Sequence, residues 1–365
     1  MKSLDAVFPA KLLLFGEYSI LLGSSALSLP FPHFNASLKL SCEEPGTSSV
    51  MLANSNTESI QGTGSDDASG GEAESNRQLR HFFNYLVDDK TGIDAFLDLN
   101  CFLADLNKDM YLQSDIPQRY GLGSSGALCA SVYHRYYLVR NHPVKSFCTA
   151  GSQDPLPPEM NLKSGGGVDE QNPLQPPDHE TMSVLRNRFK MMESFFHGKS
   201  SGFDPLVSYL KMPLLQGKDG TVAYVTIKSC SSMPKVMLVD SGLHGETRPL
   251  VHDFLQKFIP GGLITSQGKE LTRLTDAAIV AFLSNNSDES WNSITQLSQF
   301  QLKEFIQLVP QNLRAVWSEG IRTGIFSLKL CGSGGGGYLL CFTRNSETAA
   351  AYFDRKKIRT IMVFS

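Results

Sequence analysis

The sequence has no long hydrophobic run. The longest early one, residues 12–15, is broken at once by Gly16 and Glu17, so it is far too short for a signal-peptide core or a membrane span. We therefore expect a cytoplasmic protein with no membrane partner.

The chain also has little excess of either sign of charge. The formal net charge of −3 gives no reason to expect nucleic acid as a partner, and any anion site must be built locally from a few residues and backbone dipoles.

Paired cysteines and the commoner nucleotide-binding signatures are missing as well. The seven cysteines are odd in number and scattered, with no C-x-x-C pair, which favours reduced, buried thiols over disulfides or zinc ligands. The chain has no G-x-x-x-x-G-K-[ST], no G-x-G-x-x-G that opens an evident βαβ unit, and no H-R-D or D-F-G. We therefore do not expect a Walker P-loop, a Rossmann site or a protein-kinase site.

The chain is long enough for two domains, because typical domains have about 100–200 residues and this chain has 365. Strands mixed with helices predict an α+β fold. Polar stretches rich in glycine or proline, 43–76 and 152–180, are predicted to be surface loops, with a role as lids left open. Strands are predicted at 6–15 with an interruption at Pro9, 33–41, 110–117, 222–227, 235–240, 327–331, 338–343 and 360–364. Helices are predicted at 77–87, 127–139, 181–196, 247–258, 271–283 and 302–321.

The stretch 120–128 reads Tyr-Gly-Leu-Gly-Ser-Ser-Gly-Ala-Leu and follows a predicted strand. Glycines beside paired serines let backbone N–H groups approach an anion, and the small residues that follow can begin a helix whose N-terminus favours negative charge. The stretch is therefore a candidate phosphate cradle. The alternative is a plain turn between a strand and a helix.

One carboxylate, Glu193, stands near the C-terminal end of the predicted helix 181–196. The negative end of the helix dipole disfavours an acid there, so Glu193 requires a local cation, a metal ion or an exposed position. Two other candidates for chemistry also have plainer alternatives. Asp204 could be a cap or turn residue ahead of Pro205, and Lys11 could be an exposed strand lysine.

Four segments of the chain, 9–17, 117–125, 197–204 and 331–337, resemble in order and spacing the conserved segments of the GHMP small-molecule kinases, and most closely the mevalonate kinase group. The resemblance implies a two-domain α+β fold. Residues 1–228 would form an N-terminal domain like the second domain of ribosomal protein S5, with the ATP and catalytic motifs. Residues 229–365 would form a ferredoxin-like α/β sandwich on the substrate side.

The resemblance also implies how ATP and Mg²⁺ are bound. Backbone N–H groups of the loop 121–126 would bind the ATP phosphates. The segment 332–337, the third glycine-rich segment of the family pattern, would support that loop. A hydroxyl of Ser125 or Ser124 would join Glu193 as a ligand of Mg²⁺. The implied nucleotide-binding residues are Gly121, Leu122, Gly123, Ser124, Ser125, Gly126, Gly334 and Gly335.

For the reaction itself, the resemblance implies that Asp204 is the general base for a substrate hydroxyl, and that Lys11 stabilises charge on the transferring phosphoryl group. The expected reaction moves the γ-phosphoryl group of ATP to a small-molecule hydroxyl, with mevalonate as the first choice of acceptor. The implied substrate-side residues are Glu17, Tyr18, Ser201, Gly202 and Thr247.

The first motif departs from the family pattern, and other readings stay open. The chain has Ala10-Lys11 and Glu17-Tyr18 where its relatives usually have Gly-Lys and Glu-His, and the histidine is near the acceptor in those relatives. Phosphomevalonate, homoserine or a sugar are alternative acceptors, and a diphosphomevalonate decarboxylase is a second alternative. A non-catalytic nucleotide-binding protein is a third. The oligomeric state is open, with a homodimer among the alternatives.

Overall fold

A computed structural model describes residues 6–41, 68–88, 91–138, 177–227, 232–245 and 247–364. Most of the two predicted surface loops, 43–76 and 152–180, lies outside these residues. The strands are β1 Phe8–Phe15, β2 Ala26–Leu40, β3 Met110–Ser114, β4 Leu214–Gln216, β5 Val222–Tyr224, β6 Lys235–Asp240, β7 Ser327–Leu330, β8 Tyr338–Thr343 and β9 Thr360–Phe364. The helices are α1 Ala68–Leu86, α2 Leu99–Leu106, α3 Ser124–Tyr136, α4 His179–His197, α5 Phe203–Leu210, α6 Thr247–Phe258, α7 Ser266–Leu283, α8 Ser287–Glu304, α9 Gln311–Thr323 and α10 Ser346–Arg355.

The first sheet is built around the long strand β2. One edge of β2 pairs with β1, while its other edge pairs with β3 and with β4, and β5 continues the sheet from β4. The β1–β2 register shifts between Pro9 and Ala10, because proline has no N–H to donate to a ladder. The predicted interruption at Pro9 is therefore an irregularity within one strand, and it leaves Lys11 on the regular part of β1.

The second sheet has the order β7-β8-β6-β9, with all neighbours antiparallel. Its strand β8 is buried along its whole length, as expected for an interior strand covered on both faces. The core continues from this sheet into the first one. Phe15, at the end of β1, stacks on Phe342 of β8 with ring centroids 5.6 Å apart. This contact brings the end of β1 against the second sheet, where the candidate site lies.

Helix α3 is the central helix of the N-terminal half. Its residues from Gly126 to Tyr136 are all buried, and it packs on β1, β2, α4 and α5. The boundary proposed at residue 228 falls between β5 and β6, in a segment outside the described residues, and it stays a prediction. No helix in the described part of the chain is both long enough and apolar enough to span a membrane.

Some elements were predicted with the wrong extent, and some elements of the structure were not predicted. The predicted helix 302–321 is two helices, α8 and α9, because Phe305 ends the first and Pro310 caps the second. The predicted loop 43–76 is helical from Ala68 onward. The short elements α2, α5, α10 and β4 were not predicted, and neither was most of α8, whose sequence is rich in serine and glutamine.

Candidate active site

The glycine loop 121–126 follows β3 and includes the first residues of α3, which begins at Ser124. Gly121 and Gly123 have φ of 80° and 72°, in the left-handed region that favours glycine. Gly123 is the residue before α3, and no side chain caps the helix there. The first N–H groups of an α-helix have no partner within the helix. The loop therefore lies at the positive end of a 13-residue helix, which is the arrangement that binds phosphate.

The glycines of this loop also let it touch the other motif segments. A Cβ on Gly121 would lie 2.6 Å from the carbonyl oxygen of Cys331, and one on Gly123 would lie 2.6 Å from Cγ of Lys11. A Cβ on Gly126 would lie 3.0 Å from the backbone carbonyl carbon of Asp204. All four predicted segments therefore meet at one place, and the glycines are needed for close packing as well as for the turn.

Lys11 and Asp204 form an ion pair beside the loop. The Nζ of Lys11 lies 2.9 Å from Oδ2 of Asp204, and the Lys11 backbone N–H donates to the carbonyl of Leu122 over 2.9 Å. Burial lowers the pKa of Lys11, but the charge and hydrogen bond of Asp204, together with Cys331 and Glu17, leave the pKa raised. Lys11 is buried, whereas the side chain of Asp204 is 32% exposed. The cation is thus fixed in place, and the carboxylate is accessible to a small molecule.

Glu193 lies in the last turns of α4, as predicted, and it is buried. Ser125 donates to its Oε1 over 3.5 Å, and Ser200 donates to its Oε2. Burial, followed by the negative charge of Asp204, raises the pKa of Glu193 to about 8, while the two serines and Lys11 oppose the rise. A buried carboxylate of this kind is stabilised in its ionised form by a cation.

The donor set around Glu193 fits Mg²⁺. The described residues contain no cluster of three or more histidine, cysteine, aspartate or glutamate side chains suited to a metal, so this part of the chain offers no all-protein cage. Mg²⁺ is instead usually held by one or two carboxylates, with phosphate oxygens and water completing its shell. Glu193 and Ser125 supply a carboxylate and a hydroxyl at the N-terminus of α3, next to the phosphate loop.

The first motif reaches the C-terminal half through two side chains. Glu17 is buried and pairs with Lys329 of β7, while its other oxygen, Oε1, is buried and has no hydrogen-bond partner among the described residues. Burial raises the pKa of Glu17, and Lys329 opposes the rise. Tyr18 has a φ of 62°, and its hydroxyl donates to the carbonyl of Ser333 over 2.5 Å. Glu17 therefore contacts the strand before the third glycine-rich segment, and Tyr18 contacts that segment itself.

The third glycine-rich segment, 332–337, packs directly against the phosphate loop. A Cβ on Gly337 would lie 2.7 Å from Cα of Tyr120, and one on Gly334 would lie 2.7 Å from the carbonyl oxygen of Leu308. The N–H of Gly335 donates to that same carbonyl over 2.6 Å. Packing beside the phosphate loop accounts for Gly337, and packing on Leu308 accounts for Gly334. The predicted contact of Gly334 and Gly335 with nucleotide stays a prediction.

Known proteins resemble this chain over nearly its whole length. A curated mevalonate kinase from Dictyostelium discoideum is 23% identical over an alignment that covers 93% of this chain and 87% of the relative. The solved Methanococcus jannaschii mevalonate kinase matches 99% of this chain and 98% of its own, with a TM-score of 0.55 and 15% identity. The Lactococcus lactis galactokinase complexed with galactose matches 99% of this chain and 94% of its own, at a TM-score of 0.53 and 10% identity.

This chain has the GHMP kinase fold. The predicted α+β fold and the resemblance to the GHMP kinases, mevalonate kinase among them, are thereby confirmed. No protein-family model matches the chain. Kinases named for quite different acceptors share this fold. The fold alone therefore does not identify the acceptor of this chain.

The remaining predicted substrate-side residues lie ahead of α5 and at the start of α6. Gly202, with φ of 69°, precedes α5, and a Cβ there would lie 2.3 Å from the carbonyl oxygen of Arg186. Ser201 is exposed, and its carbonyl accepts from the Arg186 Nε over 2.9 Å. Thr247 begins α6, but its side chain lies outside the described residues.

Two residues at this site were not predicted from the sequence. Ser200 donates to Glu193 and accepts a hydrogen bond from the Gly202 N–H over 3.0 Å, and Lys329 pairs with Glu17. Ser200 lies inside the segment 197–204, which carries the family resemblance, so the sequence could have indicated it as a site residue. Lys329 stands in the otherwise apolar strand end Leu-Lys-Leu, and a charged residue in such a strand indicates a buried partner.

Proposed function

We propose that the protein is an ATP-dependent kinase that transfers the γ-phosphoryl group to a hydroxyl of a small molecule. Mevalonate is the proposed acceptor and 5-phosphomevalonate the product, a step in isoprenoid precursor synthesis. The observation that carries the proposal is the contact of the glycine loop with both members of the Lys11–Asp204 pair. A loop suited to phosphate therefore adjoins a base and a cation suited to phosphoryl transfer. The likeness to a curated mevalonate kinase over most of both chains supports the choice of acceptor.

The chemistry proposed for Asp204 and Lys11 follows from their exposure and charge. The accessible carboxylate of Asp204 receives the proton of the acceptor hydroxyl as the oxygen attacks phosphorus. The buried ammonium of Lys11, whose pKa is raised, stays charged and stabilises the negative charge that develops between the acceptor oxygen and the phosphoryl oxygens. Catalysis is then mainly positioning and electrostatics, as is general for phosphoryl transfer.

Glu193 and Ser125 are the proposed ligands of Mg²⁺. When bound with ATP, this ion would neutralise phosphate charge and hold the nucleotide in one orientation. Ser200 orients the Glu193 carboxylate from the side opposite Ser125, since the two serines donate to different oxygens. The backbone N–H groups at the start of α3 bind the phosphates themselves.

The proposal includes the division of work between two domains. Residues 1–228 would carry the phosphate loop, the metal ligands and the Lys11–Asp204 pair. Residues 229–365 would supply the third glycine-rich loop, and Thr247 together with Glu17, Tyr18, Ser201 and Gly202 would face the acceptor. A cytoplasmic location belongs to the same proposal.

An acceptor panel tests the proposed function. Purified protein with ATP and Mg²⁺ is assayed for ADP release with mevalonate, phosphomevalonate, homoserine and galactose, and for CO₂ release with diphosphomevalonate. We expect mevalonate to give the highest kcat/KM and no CO₂ to appear. Robust turnover of another acceptor with no response to mevalonate would overturn the acceptor. No acceptor-dependent ADP in any arm would overturn the kinase function.

A further inference from the structure

The Glu17–Lys329 pair links the two sheets beside the candidate active site. Lys329 lies on β7 of the second sheet, and Glu17 lies just after β1 of the first. The two side chains are 1% and 2% exposed. Besides Glu17, the ammonium contacts the carbonyl of Leu330 at 2.9 Å and lies 5.9 Å from the ring centroid of Phe15. Two charges are thus held in surroundings that are otherwise largely apolar.

Folding alone does not explain a pair of this kind. Removing two charges from water has a cost that their attraction offsets only with good geometry, and well-packed apolar residues are often as stable in the same place. The location suggests another reason. Cys331, two residues beyond Lys329, provides the carbonyl against which Gly121 packs. The ion pair therefore lies on the strand that leads into the segment packed against the phosphate loop.

The groups that act electrostatically on Glu17 define what Lys329 does there. Burial raises the pKa of the Cys331 thiol to about 12, and burial likewise raises the pKa of the Tyr18 hydroxyl, so both neighbours are uncharged near neutral pH. Lys11 also acts on Glu17, but its ammonium lies 2.9 Å from Asp204. Lys329 is therefore the cation that pairs with Glu17, while Lys11 pairs with Asp204.

We infer that Lys329 is a positioning residue for the acceptor side of the reaction: it holds the carboxylate of Glu17 ionised through Oε2 and leaves Oε1 to accept a hydrogen bond from the acceptor molecule. The inference rests on the proposed kinase function. It extends that function to an acceptor with a hydrogen-bond donor besides the hydroxyl that is phosphorylated. Without Lys329, burial favours the protonated form of Glu17, and the carboxylate is lost as an acceptor.

A double-mutant cycle with Lys329→Met and Glu17→Gln tests the inference. Lys329→Met in the wild-type background is expected to lower kcat/KM for the acceptor by about tenfold or more, through KM, with the affinity for ATP unchanged. The same change in the Glu17→Gln background is expected to cost less than about threefold, because residues that act as a unit are not additive. Equal losses in both backgrounds would contradict the inference.

A matched control separates positioning from stability. Arg135→Met breaks a comparably buried pair with Asp105, 2.6 Å long, at the far end of α3, and it should lower Tm while leaving the acceptor KM unchanged. If Lys329→Met does not fold, the double variant decides, since it leaves no unpaired charge. A folded double variant with wild-type kinetics, or one that does not fold, would show a structural role only and overturn the inference.

An infrared measurement tests Lys329 without any turnover. Difference spectra between each Lys329 form and its Glu17→Gln counterpart isolate the Glu17 band. We expect an ionised carboxylate band at neutral pH in the wild-type protein and a protonated carboxyl band in Lys329→Met. An ionised Glu17 in both would contradict the inference even if the kinase function holds. A protein with the expected bands but no acceptor turnover would instead refute the proposed function.

Discussion

Cγ of Lys11 lies only 2.6 Å from the place where a Cβ of Gly123 would be. The phosphate loop therefore packs on the stem of the lysine whose ammonium pairs with Asp204. This contact makes the geometry of the loop and the position of Lys11 interdependent, so a change in either is expected to affect the other.

Gly123→Ala tests that dependence. The added methyl would meet the buried Lys11 stem, and alanine disfavours the left-handed φ of 72°. We expect kcat/KM to fall by about a hundredfold, or about 2.7 kcal/mol, with weaker binding of ATP. Gly220→Ala is the control, because Gly220 has a φ of 81° and no atom near its missing Cβ. It should cost about 1–2 kcal/mol of stability, and equal kinetic losses in the two variants would contradict the packing argument.

The roles of Asp204 and Lys11 predict a separation of chemistry from binding. Asp204→Asn should lower kcat by about 10²–10⁴-fold, the range that a positioned general base supplies, and Lys11→Met should give a comparable loss. Equilibrium titration with a nucleotide analogue should show ATP affinity within a few-fold of wild type. Unchanged kcat in both variants would favour a non-catalytic nucleotide-binding protein.

The pKa of Glu193 predicts a pH dependence of stability in protein freed of divalent cations. The pKa rises from 4.5 to about 8 on folding, mainly through burial. Between these values the folded protein keeps a proton that the unfolded chain has lost, so this contribution is full below 4.5 and is lost as pH rises toward 8. Each pKa unit corresponds to about 1.4 kcal/mol. Denaturant unfolding should therefore show less pH dependence over this window in Glu193→Gln, and an unaltered profile would contradict the shift.

Ser200 and Ser201 offer a matched pair for the metal site. Each accepts a hydrogen bond from the backbone N–H two residues on, but Ser200 also donates to Glu193. Partners that orient a metal ligand are typically worth about tenfold or more in affinity. Ser200→Ala should raise the Mg²⁺ concentration for half-maximal activity by about that factor, and Ser201→Ala should leave the Mg²⁺ dependence unchanged whatever it does to turnover. Mn²⁺ binding measured by EPR should follow the same order.

Much of the site could be predicted from the sequence because its requirements are local. A left-handed turn or a close backbone approach needs glycine, and both leave a visible pattern at 121–126 and 332–337. Glu193 was visible for a similar reason, since an acid near the C-terminal end of a helix is unfavourable without compensation. The family resemblance implies roles for Lys11 and Asp204 in the reaction, and the structure brings the two side chains together as an ion pair.

Other features depend on tertiary contacts that no local pattern indicates. Nothing in the sequence pairs Glu17, which follows a strand of the first sheet, with Lys329 of the second sheet. Nothing indicates that Tyr18 adopts a φ of 62° to reach Ser333. Helix α8 was largely missed because its polar residues hide a narrow apolar stripe at Ile294 and Leu297. Packing against neighbouring elements, rather than intrinsic preference, stabilises such a helix.

The most direct test of the kinase account is to observe the product. Wild-type protein is incubated with ATP, Mg²⁺ and mevalonate and followed by ³¹P NMR, beside Asp204→Asn as the matched control. The account predicts that a phosphomonoester signal grows in step with ADP in the wild-type sample and is nearly absent in the variant. Release of inorganic phosphate alone, or a phosphomonoester formed equally well by Asp204→Asn, would contradict it.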